Sequence, residues 1–381
     1  MNFWDELTSG GKKIVGLSPM DGVTDAPMRY MTAKYGKPDV MFTEFVSVDA
    51  LAHVVEPRKV DQVLRAFLKL SDVAYEDSPR RTGNGLYEVA QVFGHTPELF
   101  YQAAVLVATL GFDGVDINMG CPAHKVEELG SGAGLIRTPD VAQEIVRQAK
   151  RGVADWAKGS VGVEDLDYSD EVKRWASSHS CGMSGDTVKP CQRKTIPVSV
   201  KTRIGVDQSQ VEEWIPAIME TSPAVLSVHG RTLKQLYQGR ADWGMIGRAG
   251  EIVHKMGGKI LGNGDIKSIN NLQLTINKYG VDGVLIGRAA EGNPAIFAGC
   301  DVPTREQRMA WIIEHAEIYD KLFVQTSEPA FRERAFVPLR KFLAWYASGF
   351  PAASELRQKL VVAKNLLEVT LLVGPAVNNT R

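Results

Sequence analysis

The chain has 381 residues, enough for one large domain and a smaller one. Hydrophobic residues make up 44% and charged residues 23%, as in soluble globular proteins. A net charge of −1 excludes an overall electrostatic attraction of the chain to nucleic acid, but it allows a local basic patch. The four cysteines are too few for a disulfide scaffold, so we expect a reducing, cytoplasmic compartment. No stretch approaches the roughly 18 apolar residues of a membrane helix, and we expect neither a signal peptide nor a membrane anchor.

Short apolar runs alternate with helical patterns between residues 14 and 287. The predicted strands are 14–19, 40–43, 88–94, 114–118, 196–201, 224–229, 259–263 and 281–287. Asp25 or Thr24 is expected to cap a helix after the first strand, and further helices are predicted at 97–109, 139–151, 211–220 and 268–278. Strands that alternate with helices indicate βαβ units and a parallel sheet, and eight such units predict an α/β fold, the closed (β/α)8 TIM barrel.

The end of the chain shows a different pattern. The barrel is expected to occupy residues 1–300, and three or four helices are predicted within 306–323, 329–347 and 353–372, forming a small all-helical C-terminal domain over 304–381. Basic side chains cluster in it, at Arg332, Arg334, Arg340, Lys341, Arg357, Lys359 and Lys364. Such a cluster fits either the solvated faces of a bundle or a binding surface.

Two inserts interrupt the barrel, near 71–86 and at 151–194. The second holds His179, Cys181 and Cys191, but three ligands at this spacing are a poor zinc signature, so we predict no metal site. A mobile surface loop is the simpler interpretation of the second insert.

Polar side chains occupy the last positions of several predicted strands, where a parallel strand is usually apolar. They are Gln91, Asp116, Asn118, Ser199, Lys201, Arg203, Ser227, His229 and Asn263. A lysine at the end of a buried strand is costly unless it meets an anion or a polar ligand. One such residue would fit a structural ion pair, but five strands that deliver polar groups to one rim favour a shared ligand.

The loops after the last two strands predict a phosphate site. Asn263, Gly264 and Asp265 follow the seventh strand, and Gly287 and Arg288 follow the eighth. Barrels often bind phosphate in these loops through backbone N–H groups, which glycine leaves accessible, and an arginine adds a bidentate cation. The position alone therefore predicts a phosphorylated cofactor or substrate.

The segment 115–122, Val-Asp-Ile-Asn-Met-Gly-Cys-Pro, ends the fourth strand in a turn that carries Cys121. A single cysteine is more typically a small buried hydrophobic residue than a reagent. Here the thiol follows a strand at the end where α/β barrels keep their chemistry, which favours a reactive role.

Seven segments carry motifs in a fixed order, at 18–25, 91–94, 116–122, 200–205, 228–232, 263–265 and 286–289. Together they resemble the tRNA-dihydrouridine synthase family. The pair Asn-Met-Gly-Cys-Pro and His-Gly-Arg-Thr is highly specific, and the helical tail fits the family's layout.

The resemblance implies an FMN-binding barrel that reduces the C5–C6 bond of a uridine in folded tRNA, with NADPH or NADH reloading the flavin. It makes Cys121 the proton donor to uracil C5, a role that suits a thiol because its usual pKa keeps it protonated at neutral pH. The residues it assigns to the cofactor are Pro19, Met20, Asp21, Gln91, Lys201, His229, Asn263, Gly264, Asp265, Gly287 and Arg288, the last five of them at the phosphate.

On the substrate side, we expect Asn118 and Arg203 in the barrel to contact the RNA. The tail becomes a tRNA-binding surface through Arg332, Arg334, Arg340 and Lys341. A uridine inside folded RNA must swing out to enter a barrel mouth, and a barrel of nearly zero net charge needs a basic appendage to hold the phosphates.

The sequence departs from the family pattern in two places. Asp21 stands where a small residue is expected and adds a carboxylate near the flavin. The 151–194 insert is longer than usual, and we expect it to lie away from the catalytic mouth.

Two other functional classes compete with this interpretation. One is a flavin barrel acting on a free pyrimidine such as dihydroorotate, which would not need the basic tail. The other is a non-catalytic RNA-binding protein, which would need neither Cys121 nor the flavin positions. We expect a monomer without an obligate protein partner.

Overall fold

The computed structural model describes residues 2–73, 86–180, 193–270 and 272–377. The strands β1 to β8 are Ile14–Leu17, Val40–Ser47, Tyr87–Phe93, Gly114–Met119, Val198–Arg203, Leu226–His229, Ile260–Asn263 and Gly283–Ile286. They pair in parallel and in chain order, and β8 pairs with β1 through Ile14 and Gly283, which closes the barrel. The predicted TIM barrel is therefore confirmed.

Helices surround the barrel and form the end of the chain. Helices α1 to α16 are Phe3–Thr8, Ala26–Tyr35, Val48–His53, Pro57–Leu64, Pro97–Leu110, His124–Glu128, Pro139–Lys158, Asp170–Ser178, Val211–Met219, Trp243–Lys255, Leu272–Tyr279, Arg305–Tyr319, Arg332–Phe336, Arg340–Tyr346, Ala353–Leu360 and Leu366–Val377. Asp25 caps α2, since its side chain accepts a hydrogen bond from the Met28 backbone N–H, as predicted.

Both ends of the fifth strand differ from the prediction for physical reasons. The fifth strand begins at Val198 rather than residue 196, because Pro197 has no N–H to give to a ladder. It runs on to Arg203, which pairs with His229 of β6 although the apolar run has ended. This extension puts two further polar residues in register with the neighbouring strands at the mouth.

Helix α1, which the sequence patterns did not predict, closes the bottom of the barrel. Phe3, Trp4 and Leu7 pack into a buried cluster with inward-facing strand residues such as Phe42. Asn2 caps this helix by accepting a hydrogen bond of 2.9 Å from the Trp4 backbone N–H. The barrel interior is thus filled from below, and its open end is the end at which the strands carry polar groups.

The second insert contains a helix, so its interpretation as a surface loop is wrong for the part that the structure describes. Helix α7 runs on to Lys158, and α8 follows after a short 3-10 turn. The Ser169 hydroxyl caps α8 and donates a hydrogen bond of 2.8 Å to the Val54 carbonyl, which ties α8 to the helices that follow β2. Cys181 and Cys191 lie outside the described residues, as do residues 74–85 of the first insert.

The C-terminal helices pack directly on the barrel. The Lys34 ammonium forms an ion pair of 2.8 Å with Glu314 of α12, and the Tyr35 hydroxyl donates to the same carboxylate. Trp345 of α14 packs on the loop after β8, where a Cβ on Gly292 would lie 2.6 Å from the Trp345 carbonyl oxygen. Among the described residues, no helix has the length and apolar character needed to cross a membrane.

Candidate active site

A buried hydrogen-bond network forms the floor of the open end of the barrel. The Gln91 side-chain amide donates to Asp116 Oδ2 at 2.6 Å, and its carbonyl accepts from Asn118 Nδ2 at 2.9 Å. The Ser199 hydroxyl donates to the other Asp116 oxygen at 2.6 Å. Burial raises the pKa of Asp116 to about 6, although both hydrogen bonds act in the opposite direction. The network fixes Asn118, and the Gln91 amide keeps one N–H and one lone pair for a ligand.

Asn118 holds the turn that carries Cys121. Its Oδ1 accepts hydrogen bonds from the backbone N–H of Gly120 at 3.0 Å and of Cys121 at 2.8 Å. On the opposite side of the turn, the Arg203 guanidinium donates to the Gly120 carbonyl at 2.7 Å. Both side chains were expected at the substrate. In the structure Asn118 holds the turn of the cysteine, whereas Arg203 donates one hydrogen bond to that turn and two to carbonyls of the loop after β6.

The Cys121 thiol is half-buried at the mouth. Burial raises its pKa, and the Asp21 carboxylate adds to the effect, while the cations Arg203 and Lys201 oppose it. The thiol is therefore protonated at neutral pH. A protonated thiol on a rigid turn has the properties of an acid rather than of a nucleophile.

Lys201 is paired with Ser227, and His229 with Arg203, across β5 and β6. The Lys201 ammonium donates no hydrogen bond to any residue that the structure describes, and burial followed by the Arg203 charge lowers its pKa to about 8. His229 Nε2 lies 3.2 Å from the Arg231 guanidinium. Burial, followed by the neighbouring cations, lowers the pKa of His229 to about 2, so its ring is neutral.

The corner formed by the loops after β6, β7 and β8 carries three charged side chains. Asp265 binds the buried Arg231 guanidinium at 2.8 Å and the exposed Arg288 guanidinium at 3.3 Å. Gly264 has φ of 128°, and a Cβ there would lie 2.6 Å from the Ala241 Cβ, so only glycine fits. Of the residues predicted to hold phosphate, Arg288 supplies the exposed cation, whereas the Asp265 carboxylate orients the two arginines.

The other predicted phosphate residues complete this corner. The Asn263 amide donates to the Leu285 carbonyl at 2.8 Å, which joins β7 to β8. A Cβ on Gly287 would lie 3.4 Å from the Met20 sulfur and 3.8 Å from the Ser18 Cβ, so Gly287 faces the β1 loop at contact distance. The corner thus joins the strand ends to the loop that carries Met20.

The loop after β1 carries the predicted residues Pro19, Met20 and Asp21, and the C-terminal helices hold it. The Lys341 ammonium of α14 donates to the Gly22 carbonyl. Burial raises the pKa of Asp21, and the Lys341 charge opposes this shift. Lys341, which the sequence placed on a shared tRNA surface, instead reaches into the barrel rim.

The four predicted tail cations therefore do not share one environment. Arg332 and Arg334 are exposed, whereas Arg340 is half-buried and donates to the Ala363 carbonyl at 2.7 Å. Pro338 lies in a 3-10 turn between α13 and α14, so Arg332 and Arg340 do not lie on one regular helix. Only Arg332 and Arg334 of these four remain exposed for a ligand.

The polar side chains at this end of the barrel fit a cofactor that accepts hydrogen bonds and carries negative charge. The Ser227 hydroxyl, which neighbours Lys201 across β5 and β6, is buried and has no hydrogen-bond partner among the described residues. Buried donors of this kind require an acceptor. Arg288 offers a cation at the opposite side. Among the described residues, no group of three or more His, Cys, Asp and Glu side chains could hold a metal ion.

Comparison with known sequences identifies the family of this chain. The profile of the family described as Dihydrouridine synthase (Dus) matches residues 16–164 and 185–372. The chain belongs to the dihydrouridine synthase family. This dihydrouridine synthase family member is 30% identical over 375 residues to the probable tRNA-dihydrouridine synthase of Staphylococcus aureus strain COL, covering 98% of the chain and 94% of the relative. It is also 30% identical over 376 residues to the probable tRNA-dihydrouridine synthase 2 of Bacillus subtilis strain 168, covering 98% and 95%.

Solved structures similar to this family member include the ligand-free DHODH of Eimeria tenella, at a TM-score of 0.48 and 14% identity, covering 75% of this chain and 82% of that one. The old yellow enzyme homologue of Zymomonas mobilis has a TM-score of 0.40 at 13% identity, with coverage of 74% and 86%.

Sequence reasoning assigned no role to two residues at this family member's mouth. Arg231 was noted only as part of the His-Gly-Arg-Thr motif, although its spacing from His229 keeps a side chain on the same face of a strand. Tyr237 lies in a predominantly polar loop, and the only signal was the aromatic residue itself.

Proposed function

We propose that the protein reduces a specific uridine of tRNA to 5,6-dihydrouridine, with bound FMN and with NADPH or NADH as the reductant. The observation that carries the proposal is the half-buried, protonated Cys121 thiol. Asn118 and Arg203 hold its turn beside the unpartnered Lys201 ammonium, in a chain of this family.

The cofactor assignment follows from the chemistry of the side chains. Lys201 and Gln91 offer donors to the polar edge of a flavin ring, and the neutral His229 offers a ring nitrogen beside them. Arg288, with the backbone at Gly264 and Gly287, would hold the phosphate, and Pro19, Met20 and Asp21 would lie along the ring. When bound, reduced FMN supplies the hydride for uracil C6.

Cys121 supplies the proton. Addition of hydride to C6 builds negative charge on the base, and the thiol proton transferred to C5 removes that charge while Cys121 becomes a thiolate. Asn118 fixes the direction of the thiol through the turn. The Lys201 charge offsets the negative charge that accumulates at this end of the barrel.

The tRNA would span the barrel mouth and the helical end of the chain. In this proposal residues 1–300 form the catalytic domain and residues 304–381 the tRNA-binding domain, where Arg332 and Arg334 contact phosphates. Arg340 and Lys341, which also belong to the predicted surface, connect it to the barrel rim. We propose a cytoplasmic monomer that acts without an obligate protein partner.

The decisive experiment incubates the purified protein with unmodified tRNA and NADPH or NADH, and maps dihydrouridine by mass spectrometry. We expect a yellow protein that releases FMN on denaturation and forms dihydrouridine at a defined position. A colourless protein that does not reduce tRNA in the presence of added FMN would refute the proposal. Oxidation of dihydroorotate without any reaction on tRNA would replace it by the free-pyrimidine alternative.

A further inference from the structure

Tyr237, in the loop after β6, presents its ring at the barrel mouth. The residue is 59% exposed. Its ring centroid lies 5.8 Å from the Arg203 guanidinium carbon and 5.6 Å from that of Arg288. Since Arg203 holds the Cys121 turn and Arg288 lies at the predicted phosphate corner, the ring stands at the rim between the proton donor and that corner.

Two buried arginines hold the loop on both sides of the ring. On the N-terminal side, Arg203 Nη1 donates to the carbonyl of Leu236 at 2.9 Å and to that of Thr232 at 2.8 Å. On the C-terminal side, Arg231 donates to the Gln238 carbonyl at 3.2 Å and to the Gly239 carbonyl at 2.7 Å. Each arginine is only 2% exposed, so the exposed ring has a rigid support.

The backbone beside the ring is strained. Leu236 has φ of 50°, a left-handed conformation that a leucine rarely adopts. Such a conformation persists only where the surrounding contacts enforce it, and it is concentrated at ligand-binding sites. Gly239 in the same loop also has a left-handed backbone, with φ of 65°, which glycine adopts without strain. The loop therefore holds Tyr237 outward against the local preference of its own chain.

We propose that Tyr237 is a stacking platform for a nucleobase of the RNA substrate, at the nucleotide adjacent to the one that enters the mouth. Every base has a π-face, and aromatic rings combined with a positively charged surface are the usual means of binding single-stranded RNA. The exposed Arg288 beside the ring adds such a charge. This inference rests on the proposed reaction, to which it adds a residue that positions the RNA strand.

The experiment compares the parent with Tyr237→Phe, Tyr237→Leu and Tyr237→Ala, using unmodified tRNA as the probe. We expect the Ala and Leu variants to bind tRNA roughly 5- to 150-fold more weakly, the range of base–aromatic stacking, and the Phe variant to bind within about twofold of the parent. A stacking contact neutralises no phosphate, so the dependence of log K on log salt keeps the parent slope. Bound FMN and the rate of flavin reduction by NADPH stay at parent values.

Tyr101→Ala is the matched control, because Tyr101 has an arginine 4.7 Å from its ring but lies in α5, on the outside of the barrel. It should not change the affinity for tRNA.

Parent affinity in Tyr237→Ala, or equal losses in the Phe and Ala variants, would overturn the stacking role. Loss of bound FMN or slower reduction by NADPH would assign the ring to the cofactor or the nicotinamide instead. A parent protein that forms no dihydrouridine would refute the proposed reaction itself, so the two failures are distinguishable.

Discussion

Asn118 Oδ1 accepts a hydrogen bond of 2.8 Å from the backbone N–H of Cys121. Asn118 is the last residue of the buried polar network, and it therefore also fixes the cysteine at the mouth. The Cys121 thiol is thus anchored to the barrel floor through Asn118 and Gln91. Gln91 is also a predicted flavin contact, so the thiol is tested by substituting Cys121 itself, which is not among the predicted cofactor residues.

We expect Cys121→Ala to bind FMN and to be reduced by NADPH at the parent rate, since the thiol is the proton donor only in the second half-reaction. Uridine reduction should slow by roughly 10²- to 10⁴-fold, the usual contribution of a general acid. Stopped-flow absorbance would time flavin reduction, and quenched samples would time dihydrouridine formation. Cys300→Ala, a half-buried thiol outside the motif, is the control; dihydrouridine formation at the parent rate in Cys121→Ala would exclude this acid.

The pH dependence of uridine reduction should report on the Cys121 thiol. Its pKa is raised by burial and then by the Asp21 charge, so the rate is level through neutral pH and falls as pH rises through the raised pKa. Asp21→Asn removes a charge that raises this pKa, and the fall should therefore begin at lower pH. Single-turnover rates of the reduced enzyme across the alkaline range would measure the shift.

The Lys201 ammonium also loses its charge in the alkaline range. The effect of the Cys121 thiol is therefore identified from the difference between the pH profiles of Asp21→Asn and the parent. The exposed Asp140, at the start of α7, provides the control Asp140→Asn, which should leave the profile unchanged. An unchanged profile in Asp21→Asn would show that Asp21 does not act on the thiol.

Lys201 and Arg288 should affect different properties of one cofactor. Arg288→Ala should lower the fraction of purified protein that carries FMN, because it removes the exposed cation of the phosphate corner. Lys201→Ala should retain more FMN but slow flavin reduction or uridine reduction. Absorbance of the purified protein and the two half-reaction rates separate these effects.

The exposed pairs Lys59–Glu56 and Arg248–Glu212 supply controls for these variants. Lys59→Ala and Arg248→Ala remove the same kinds of side chain from helices that surround the barrel. Full FMN content and parent rates in both Lys201→Ala and Arg288→Ala would contradict the assignment.

Neutralising Arg332 and Arg334 should weaken tRNA binding and make its salt dependence shallower, because each lost phosphate contact removes roughly 0.7 to 0.9 from the slope of log K against log salt. Fluorescence anisotropy with labelled tRNA at several salt concentrations measures both. The exposed Arg147 and Lys158 of α7 give a matched double variant, which should keep the parent slope. An unchanged slope in the Arg332/Arg334 variant would place the tRNA surface elsewhere.

Trp4→Ala should destabilise the protein by about 3–5 kcal/mol, because it empties a site that is 1% exposed at the bottom of the barrel. The midpoint of urea unfolding, followed by fluorescence and circular dichroism, measures the change. Leu274→Ala, at a position that is 70% exposed, is the control and should leave the midpoint close to the parent value. A parent-like midpoint in Trp4→Ala would mean that α1 is not part of the core.

The sequence predicts the barrel well because apolar strands and turn residues are local signals, and the order of the strands follows from their alternation with helices. It also predicts which strands carry polar ends. It does not predict that Arg203 holds the Cys121 turn, because the hydrogen bond from Arg203 to the Gly120 carbonyl joins residues far apart in the chain. The bond from the Cys121 N–H to Asn118 is local, but it forms only in the turn that ends β4. Helix α1 was missed because six residues are too few for a recognisable period.

Contacts between residues far apart in the chain also decide which basic side chains of the C-terminal helices are exposed. Neighbours in sequence, Arg340 and Lys341, have different partners, the Ala363 carbonyl and the Gly22 carbonyl. Helical spacing indicates which residues share a face, but the docking of α14 on the barrel decides which of them reach solvent. A basic cluster in a sequence therefore overestimates the number of cations available to RNA.

The contact between Lys341 and Gly22 has a consequence for exchanging parts between relatives. A chimera that joins this barrel to another member's tail would bring a foreign side chain to the β1 loop, and a Cβ on Gly22 would lie 2.9 Å from the Lys341 nitrogen. The loop and α14 must therefore change together. A barrel separated from its own tail loses a support of the Asp21 loop, so weak activity in such a fragment would not by itself measure lost tRNA affinity.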